Sequence, residues 1–376
     1  MINYDLLLPF LRFCLDENRP VPRDVVQSID WQQLFDFAQE QALLGVCMEG
    51  IKRLDRNTVN RPPINVLATW VTVANKIEQR NRYMFRMSVR VSDQFADFGF
   101  VPCVLKGQAN AMMYPNPGMR SSGDIDLWLK SNKVQNSRHW LGENRRRVLA
   151  YVRSVVKDAV ACYHHVDFPV LDACPIEVHF TPSYLSNPFY NRRLQRWYGS
   201  YDAMTHVSHA WQEKDKDGRL MTFPTPSLSF NRIYQLTHIQ HHFFDEGIGL
   251  RQLIDYFYLL RQGFTEEERL HDVGLLRQFG LVPIAGAVMY VLKEVLGLED
   301  RFLLLPADAR RGKILLADML KGGNFGVNNH IGSRGMAGKY FAKTWRNLRV
   351  AWLFPGEALW EPVFRTWLFF WKKWWL

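Results

Sequence analysis

Cysteine is scarce in this chain, and what there is lacks pattern. The 376 residues include five, at Cys14, Cys47, Cys103, Cys162 and Cys174. None forms a CxxC or a zinc-finger spacing, which excludes a disulfide scaffold and a zinc ribbon. Free thiols in a cytoplasmic protein are the expectation. No run of about 18 apolar residues occurs, so a membrane-spanning helix is not expected. The opening residues, Met1-Ile2-Asn3-Tyr4-Asp5, lack the basic stretch of a secretory signal. The HExxH pattern is also missing, because Ile239 follows His238 where a glutamate would be needed. His238, His241 and His242 are therefore expected as packed or hydrogen-bonded histidines and not as zinc ligands.

Hydrophobic residues make up 47% of the chain and aromatics 14%, which excludes a disordered protein. The length suffices for two or three domains with a sizeable core. The formal charge is +10, and it is unevenly placed. Residues 301–376 hold 13 Lys/Arg against 4 Asp/Glu, so the excess belongs to one surface and not to the whole molecule.

The most informative stretch is residues 101–130, VPCVLKGQANAMMYPNPGMRSSGDIDLWLK. Residues 101–105 form an apolar run that stops at Lys106-Gly107, as a buried strand entering a tight turn does. A short helical segment at 108–114 is closed by Pro115 and Pro117. The run Ser-Ser-Gly-Asp-Ile-Asp-Leu-Trp-Leu then alternates like a strand. Asp124 and Asp126 share one face, and Ile125 and Leu127 the other. Two carboxylates about 7 Å apart along a strand can converge on one hard divalent cation or a pair. The plainer alternative is that Asp124 caps a turn and Asp126 pairs with an arginine. Arg120, on the loop before the acids, is either a phosphate ligand or a surface arginine.

Together, "LKG", a short helix, an arginine and "DIDLWL" resemble the signature of the uncharacterised nucleotidyltransferase family within the DNA polymerase beta-like superfamily. The resemblance covers about residues 31–260 and implies an α+β fold. A small mixed sheet with helices would form the core, flanked by N-terminal and C-terminal helical regions. It implies that Lys106, Gly107 and Gln108 hold nucleotide phosphates. Asp124 and Asp126 would bind two Mg²⁺ ions, with Mn²⁺ able to substitute. A third carboxylate is implied in the hairpin-like stretch 164–180, HHVDFPVLDACPIEVHF, where Glu177 and His179 share a strand face. GIGLRQLIDY (247–256), preceded by the three histidines, resembles the family's C-terminal helical motif. His179, His242, Arg251 and Asp255 are thereby offered as substrate-framing residues. For Arg251 and Asp255 an intrahelical i,i+4 ion pair stands equally open. One departure concerns the turn, which in the superfamily is usually Gly-Ser; here Gln108 follows Gly107.

The implied activity is transfer of a nucleoside monophosphate from an NTP to a hydroxyl acceptor, with release of pyrophosphate. The acceptor and the base cannot be read. The alternatives are a DxD metal-dependent glycosyltransferase, which needs neither the Gly107 turn nor Glu177, and a catalytically silent membrane-associated adaptor. A nucleic-acid-binding protein is permitted by the charge, but no recognition motif supports it.

The remaining chain reads as helices. The expected organisation is an N-terminal helical region (1–96), a catalytic core (97–226), a C-terminal helical domain (227–325) and a Gly-rich loop with a basic tail (326–376). The Asn/Arg-rich centre of the long helix expected at 62–99 is taken as its solvated side. A hairpin at 201–226, turning at Lys214 to Gly218, is an insertion or a lid over the nucleotide. Residues 339–376 contain 7 of the 13 tryptophans. Tryptophan mixed with lysine suits a bilayer headgroup layer, so peripheral contact on the inner face of the membrane is the first expectation. Packing on the chain itself or on a protein partner comes second, and single-stranded nucleic acid third.

Overall fold

The computed structural model describes residues 3–55, 60–134, 139–171, 174–200, 206–208, 212–324 and 336–375. Helices α1 (Tyr4–Leu15), α2 (Arg23–Ser28), α3 (Trp31–Glu40) and α4 (Leu44–Lys52) come first, followed by the 34-residue α5 (Ile64–Asp97). Asp30 caps α3, its carboxylate accepting from the amides of Gln32 (2.9 Å) and Gln33 (3.1 Å). Next come β1 (Phe100–Val104), α6 (Gln108–Ala111), β2 (Ile125–Ser131), α7 (Trp140–Val155), β3 (His165–Asp167) and β4 (Ile176–His179). Helix α8 (Pro188–Ser200) leads to a small ribbon of β5 (His206–Ser208) and β6 (Phe223–Thr225). The chain continues through α9 (Leu228–Phe244), α10 (Leu250–Arg261), α11 (Glu266–Gln278), α12 (Val282–Tyr290) and α13 (Ala309–Gly322). It ends with α14 (Met336–Arg349), α15 (Pro355–Ala358) and α16 (Trp360–Trp375). The fold is thus a mostly helical α+β structure around one small mixed sheet.

That sheet has the order β1-β2-β4-β3, with β2 and β4 parallel and both outer pairs antiparallel. Alternation along β2 sorts its side chains as the period of two requires. Ile125, Leu127 and Leu129 enter a core shared with Phe85, Phe95, Val148 and Val178. Trp128 faces the opposite side, where it stacks on Phe230 of α9 at 5.6 Å. A second core joins the first four helices to α9, α10 and α12. Residues far apart in sequence therefore clamp the sheet from one side.

Asn144 of α7 fastens the far end of the sheet. It is fully buried. Its side-chain amide donates to the carbonyls of Leu129 (2.7 Å) and Phe180 (2.8 Å), and its oxygen accepts from the Ser131 amide (2.9 Å).

Two expectations need correction. The centre of α5 is not simply a solvated face: Asn81 is fully buried and Arg80 reaches the loop before β2. The hairpin turn at Lys214 to Gly218 forms, with Gly218 at φ +79° and a bridge from Lys214 to Leu220. Its described residues do not line the cleft below, and Glu213 instead pairs with Arg86 of α5 at 2.7 Å. The described residues of the hairpin are thus fastened along α5 and not over the cleft. Residues 201–205 and 209–211 of that hairpin, 172–173 of the turn before β4 and 325–335 of the Gly-rich loop lie outside the described residues.

Asn144→Ala leaves three buried backbone groups without partners, each costing about 1–3 kcal/mol with partial relief by relaxation. We expect a loss of roughly 2–4 kcal/mol, measured by urea unfolding.

Candidate active site

The parallel pairing of β2 and β4 sets Asp126 directly opposite Glu177, and the antiparallel β3 sets Asp167 opposite Glu177 on the other side. Asp124 precedes β2 by one residue and shares the Asp126 face. Oxygens of Asp124, Asp126 and Glu177 lie within 4.8 Å of one another. They line a cleft of about 550 Å³, together with Lys106, Gly107 and His179.

Asp126 is almost completely buried, at 1% exposure. Its Oδ1 meets Lys106 Nζ at 2.9 Å and His179 Nε2 at 3.0 Å, while Oδ2 is buried and unpartnered. Burial by itself would raise this carboxyl, but the Lys106 charge and the His179 hydrogen bond outweigh it and hold Asp126 below the carboxylate range. Asp124 moves the other way, raised first by repulsion from Asp126 and then by burial. For Lys106, burial favours the neutral amine, yet Asp126, Asp124 and Glu177 outweigh it and keep the ammonium. His179 is likewise disfavoured as a cation by burial but raised by Asp126 and Glu177. The partner of Asp126 is therefore a lysine and a histidine and not the arginine that its plainer reading supposed.

Gly107 sits at φ +54°, a backbone that side chains disfavour, and a Cβ there would approach the Asp124 carbonyl to 3.1 Å. The turn packs so closely on the strand carrying the acids that glycine is the residue that fits. Gln108 does not face the cleft. It is buried, and its amide donates to Asn81 Oδ1 at 3.0 Å. The Gln108 side chain is thus a brace to α5, and any part of this residue in phosphate binding falls to its backbone amide.

Arg120 lines the cleft, but its guanidinium forks onto Asp255, Nε to Oδ1 at 2.7 Å and Nη2 to Oδ2 at 2.6 Å. Tyr114 Oη (2.7 Å) and Asn110 Nδ2 (3.1 Å) complete the coordination of Asp255. The partner taken by Asp255 is this loop arginine, and Arg251 instead donates to the Ser121 carbonyl at 2.8 Å. Around it, the backbone of the loop is held carbonyl by carbonyl. Asn81 Nδ2 donates to Gly118 O and Arg120 O, both at 2.7 Å, and Arg80 donates to Ser122 O (3.2 Å) and Gly123 O (2.7 Å). Arginine and asparagine at helical spacing looked like a wet face because nothing local shows a loop folding back on them.

A histidine group borders the acids. His165 Nδ1 is 3.4 Å from Glu177 Oε2, and His164, His238, His241 and His242 also line the cleft. His238 and His242, one turn apart, have ring centroids at 4.2 Å. Burial lowers both, helped by the Lys106 charge. His164 and His165 were not singled out from sequence, although their place at the head of β3 was a usable signal. Leu368 and Lys372 of α16 also line the cleft; nothing in their spacing could have announced it.

The donor set suits a hard divalent cation. Three carboxylates converge, and the buried, unpartnered Asp126 Oδ2 is a ligand atom without a ligand. Two further groups, Cys162 with His164 and His165, and His165 with Glu177 and His179, are close enough to share an ion.

Truncating Asp255 strands the Arg120 charge in the interior, so Asp255→Ala should cost about 3–5 kcal/mol by denaturant titration. The pair also carries a pH signature. Burial would raise Asp255, but Arg120 outweighs it and holds the group below its ordinary value. Its contribution is therefore full above about pH 4 and lost as pH falls through the depressed value, and wild type should lose stability on acidification more steeply than Asp255→Ala.

No curated protein and no solved structure matches the chain. A family model described as uncharacterised nucleotidyltransferase matches residues 27–297. The match spans the acid-bearing strands, the glycine turn, the Arg120 loop and its partner helix, and the chain belongs to the uncharacterised nucleotidyltransferase family, a family of transferases.

Proposed function

We propose that this enzyme moves a nucleoside monophosphate from an NTP to a hydroxyl acceptor with release of pyrophosphate, on a polymerase beta-like core. The observation that carries the reading is the convergence of Asp124, Asp126 and Glu177 within 4.8 Å beside the Lys106-Gly107 turn. Asp124, Asp126 and Glu177 would hold Mg²⁺, which when bound neutralises triphosphate charge and polarises the phosphoryl group being transferred.

The chain's own residues supply the rest. Lys106, kept as an ammonium by the acids around it, offers positive charge to the phosphates. Gly107 lets the phosphates approach the backbone, since no side chain projects there. The α-phosphorus gains a bond to the acceptor oxygen as its bond to the β-phosphate oxygen breaks. The acceptor proton passes to a carboxylate of the cleft. His179, hydrogen-bonded to Asp126, positions that carboxylate, while His242 and Arg251 line the cleft wall where substrate would lie. Asp255 acts indirectly, through Arg120 and the loop it anchors. For partners, the reading is an NTP, an unidentified hydroxyl acceptor and a contact made by the C-terminal helices.

Isothermal titration of each NTP with Mg²⁺ tests the reading. We expect one or more to bind, and Asp126→Asn to remove the Mg²⁺-dependent part while the circular dichroism spectrum stays that of wild type. Lys106→Ala should weaken NTP binding by about tenfold, the loss of one charge-assisted contact. Undiminished Mg²⁺-dependent binding by Asp126→Asn would remove the carboxylates from the site.

A further inference from the structure

Helix α14 is amphipathic in the opposite sense to a surface helix in water, and α16 carries apolar side chains on its outward side as well as its inner one. The face of α14 that packs on the protein is polar. Lys343 meets Asp245 and Glu361, Arg346 donates to the carbonyls of Phe243 (3.2 Å) and Asp245 (3.1 Å), and Asn347 donates to Phe244 O (3.0 Å) and Glu361 Oε2 (2.9 Å). Its outward face carries Phe341, Trp345 and Leu348 at i, i+4 and i+7, and Trp352 continues the stripe beyond the helix end. Phe341 is 72% exposed and Trp345 66%. On α16 the outward stripe is Val363 and Phe370, continued upstream by Leu359, with the half-exposed Trp367 at its edge, where it also meets the Tyr163 ring at 5.9 Å.

The two stripes belong to one unit. Tyr340 Oη and Thr366 Oγ1 are 2.8 Å apart, and the Arg365 guanidinium lies 4.4 Å over the Tyr340 ring. The inner side of α16 packs on the hairpin beside the acids. Phe364 and Trp371 meet the Tyr163 ring edge-on at 5.4 and 5.5 Å. Among the described residues, seven of the ten exposed aromatic side chains fall between positions 340 and 370. A helix that faced water would place its lysine, arginine and asparagine outward and bury its tryptophans. The reverse arrangement, concentrated in one patch, means that something other than water covers it.

Charge identifies the cover. Cations stand beside the rings, with Arg310 4.0 Å over Trp352 and Lys373 Nζ 4.8 Å from the Phe369 centroid. Residues 301–376 carry 13 basic against 4 acidic side chains. A second copy would bring like charge against like. An anionic bilayer meets both demands, taking apolar side chains below its headgroups and Lys/Arg among them. No described helix is long and apolar enough to cross a membrane, so the contact is in the interface plane.

We propose that the outward faces of α14 and α16 seat the enzyme on an anionic lipid surface, with the cleft opening about one helix diameter from it on the other side of α16. The proposal is independent of the transferase assignment, because it uses neither the carboxylates nor a nucleotide.

The test is co-sedimentation of the full chain with vesicles of phosphatidylglycerol and phosphatidylcholine, against vesicles of phosphatidylcholine alone. Binding should be at least tenfold stronger on the anionic vesicles and fall with salt. The double substitution Phe341→Glu/Trp345→Glu, at exposed positions that leave the fold intact, should weaken it at least tenfold. Brominated acyl chains should quench the wild-type tryptophan fluorescence. Asp126→Asn should sediment like wild type, which separates this outcome from any result at the nucleotide site. Wild type remaining in the supernatant with anionic vesicles overturns the proposal. So does a glutamate variant that sediments unchanged, or a wild-type dimer that binds no vesicles and that the same substitutions split.

Discussion

A carboxylate with 1% exposure would ordinarily be protonated or absent. Asp126 is kept ionised by a lysine from the end of β1 and a histidine from the end of β4, each about 3 Å from one of its oxygens. That three-way contact depends on register. Asp126 pairs with Glu177, so His179 falls two residues further along the same strand face. A one-residue slip would set Ile176 or Val178 against the acids and turn both carboxylate and histidine away. The mixed sheet is small, yet its pairing is what gathers the acids and His179 at one place beside Lys106.

The loop between α6 and β2 has little internal structure to hold it. Its order is imposed from two helices that the sequence separates widely. The long helix α5 contributes Arg80 and Asn81 to the loop carbonyls, and α10 contributes Arg251 and the carboxylate that receives Arg120. Hydrophobic packing of the first helices against α9 and α10 brings those two sources to the same place. The distant helices therefore act on the site through backbone hydrogen bonds, with Asp255 satisfied on both oxygens by Arg120, Tyr114 and Asn110.

The family match ends at residue 297, whereas the cleft is lined as far as Lys372. The C-terminal helices thus add a wall to a site whose chemistry lies in the earlier part of the chain. On α14 the polar side chains are spent on the protein, Asn347 and Lys343 binding groups around Asp245 and Glu361, and Phe341 and Trp345 are left outward. This polarity links the tail's composition to the place where the cleft opens.

Local order in the sequence determined what depends on neighbours along the chain. Alternation along 124–129 put both aspartates on one face of a strand and Ile125 and Leu127 on the other; the cap at Asp30 followed from a side chain bonding nearby backbone, and the turn at Gly218 from a glycine that takes positive φ. The resemblance added Glu177, which the strand pairing sets opposite Asp126. Tertiary structure alone decided partners. It made Arg120 the mate of Asp255, turned Gln108 away from the cleft, buried Asn81 under a loop and faced the α14 polar side inward. The reason is that periodicity reports which side chains share a face, whereas what that face meets depends on contacts between residues 27 to 135 positions apart.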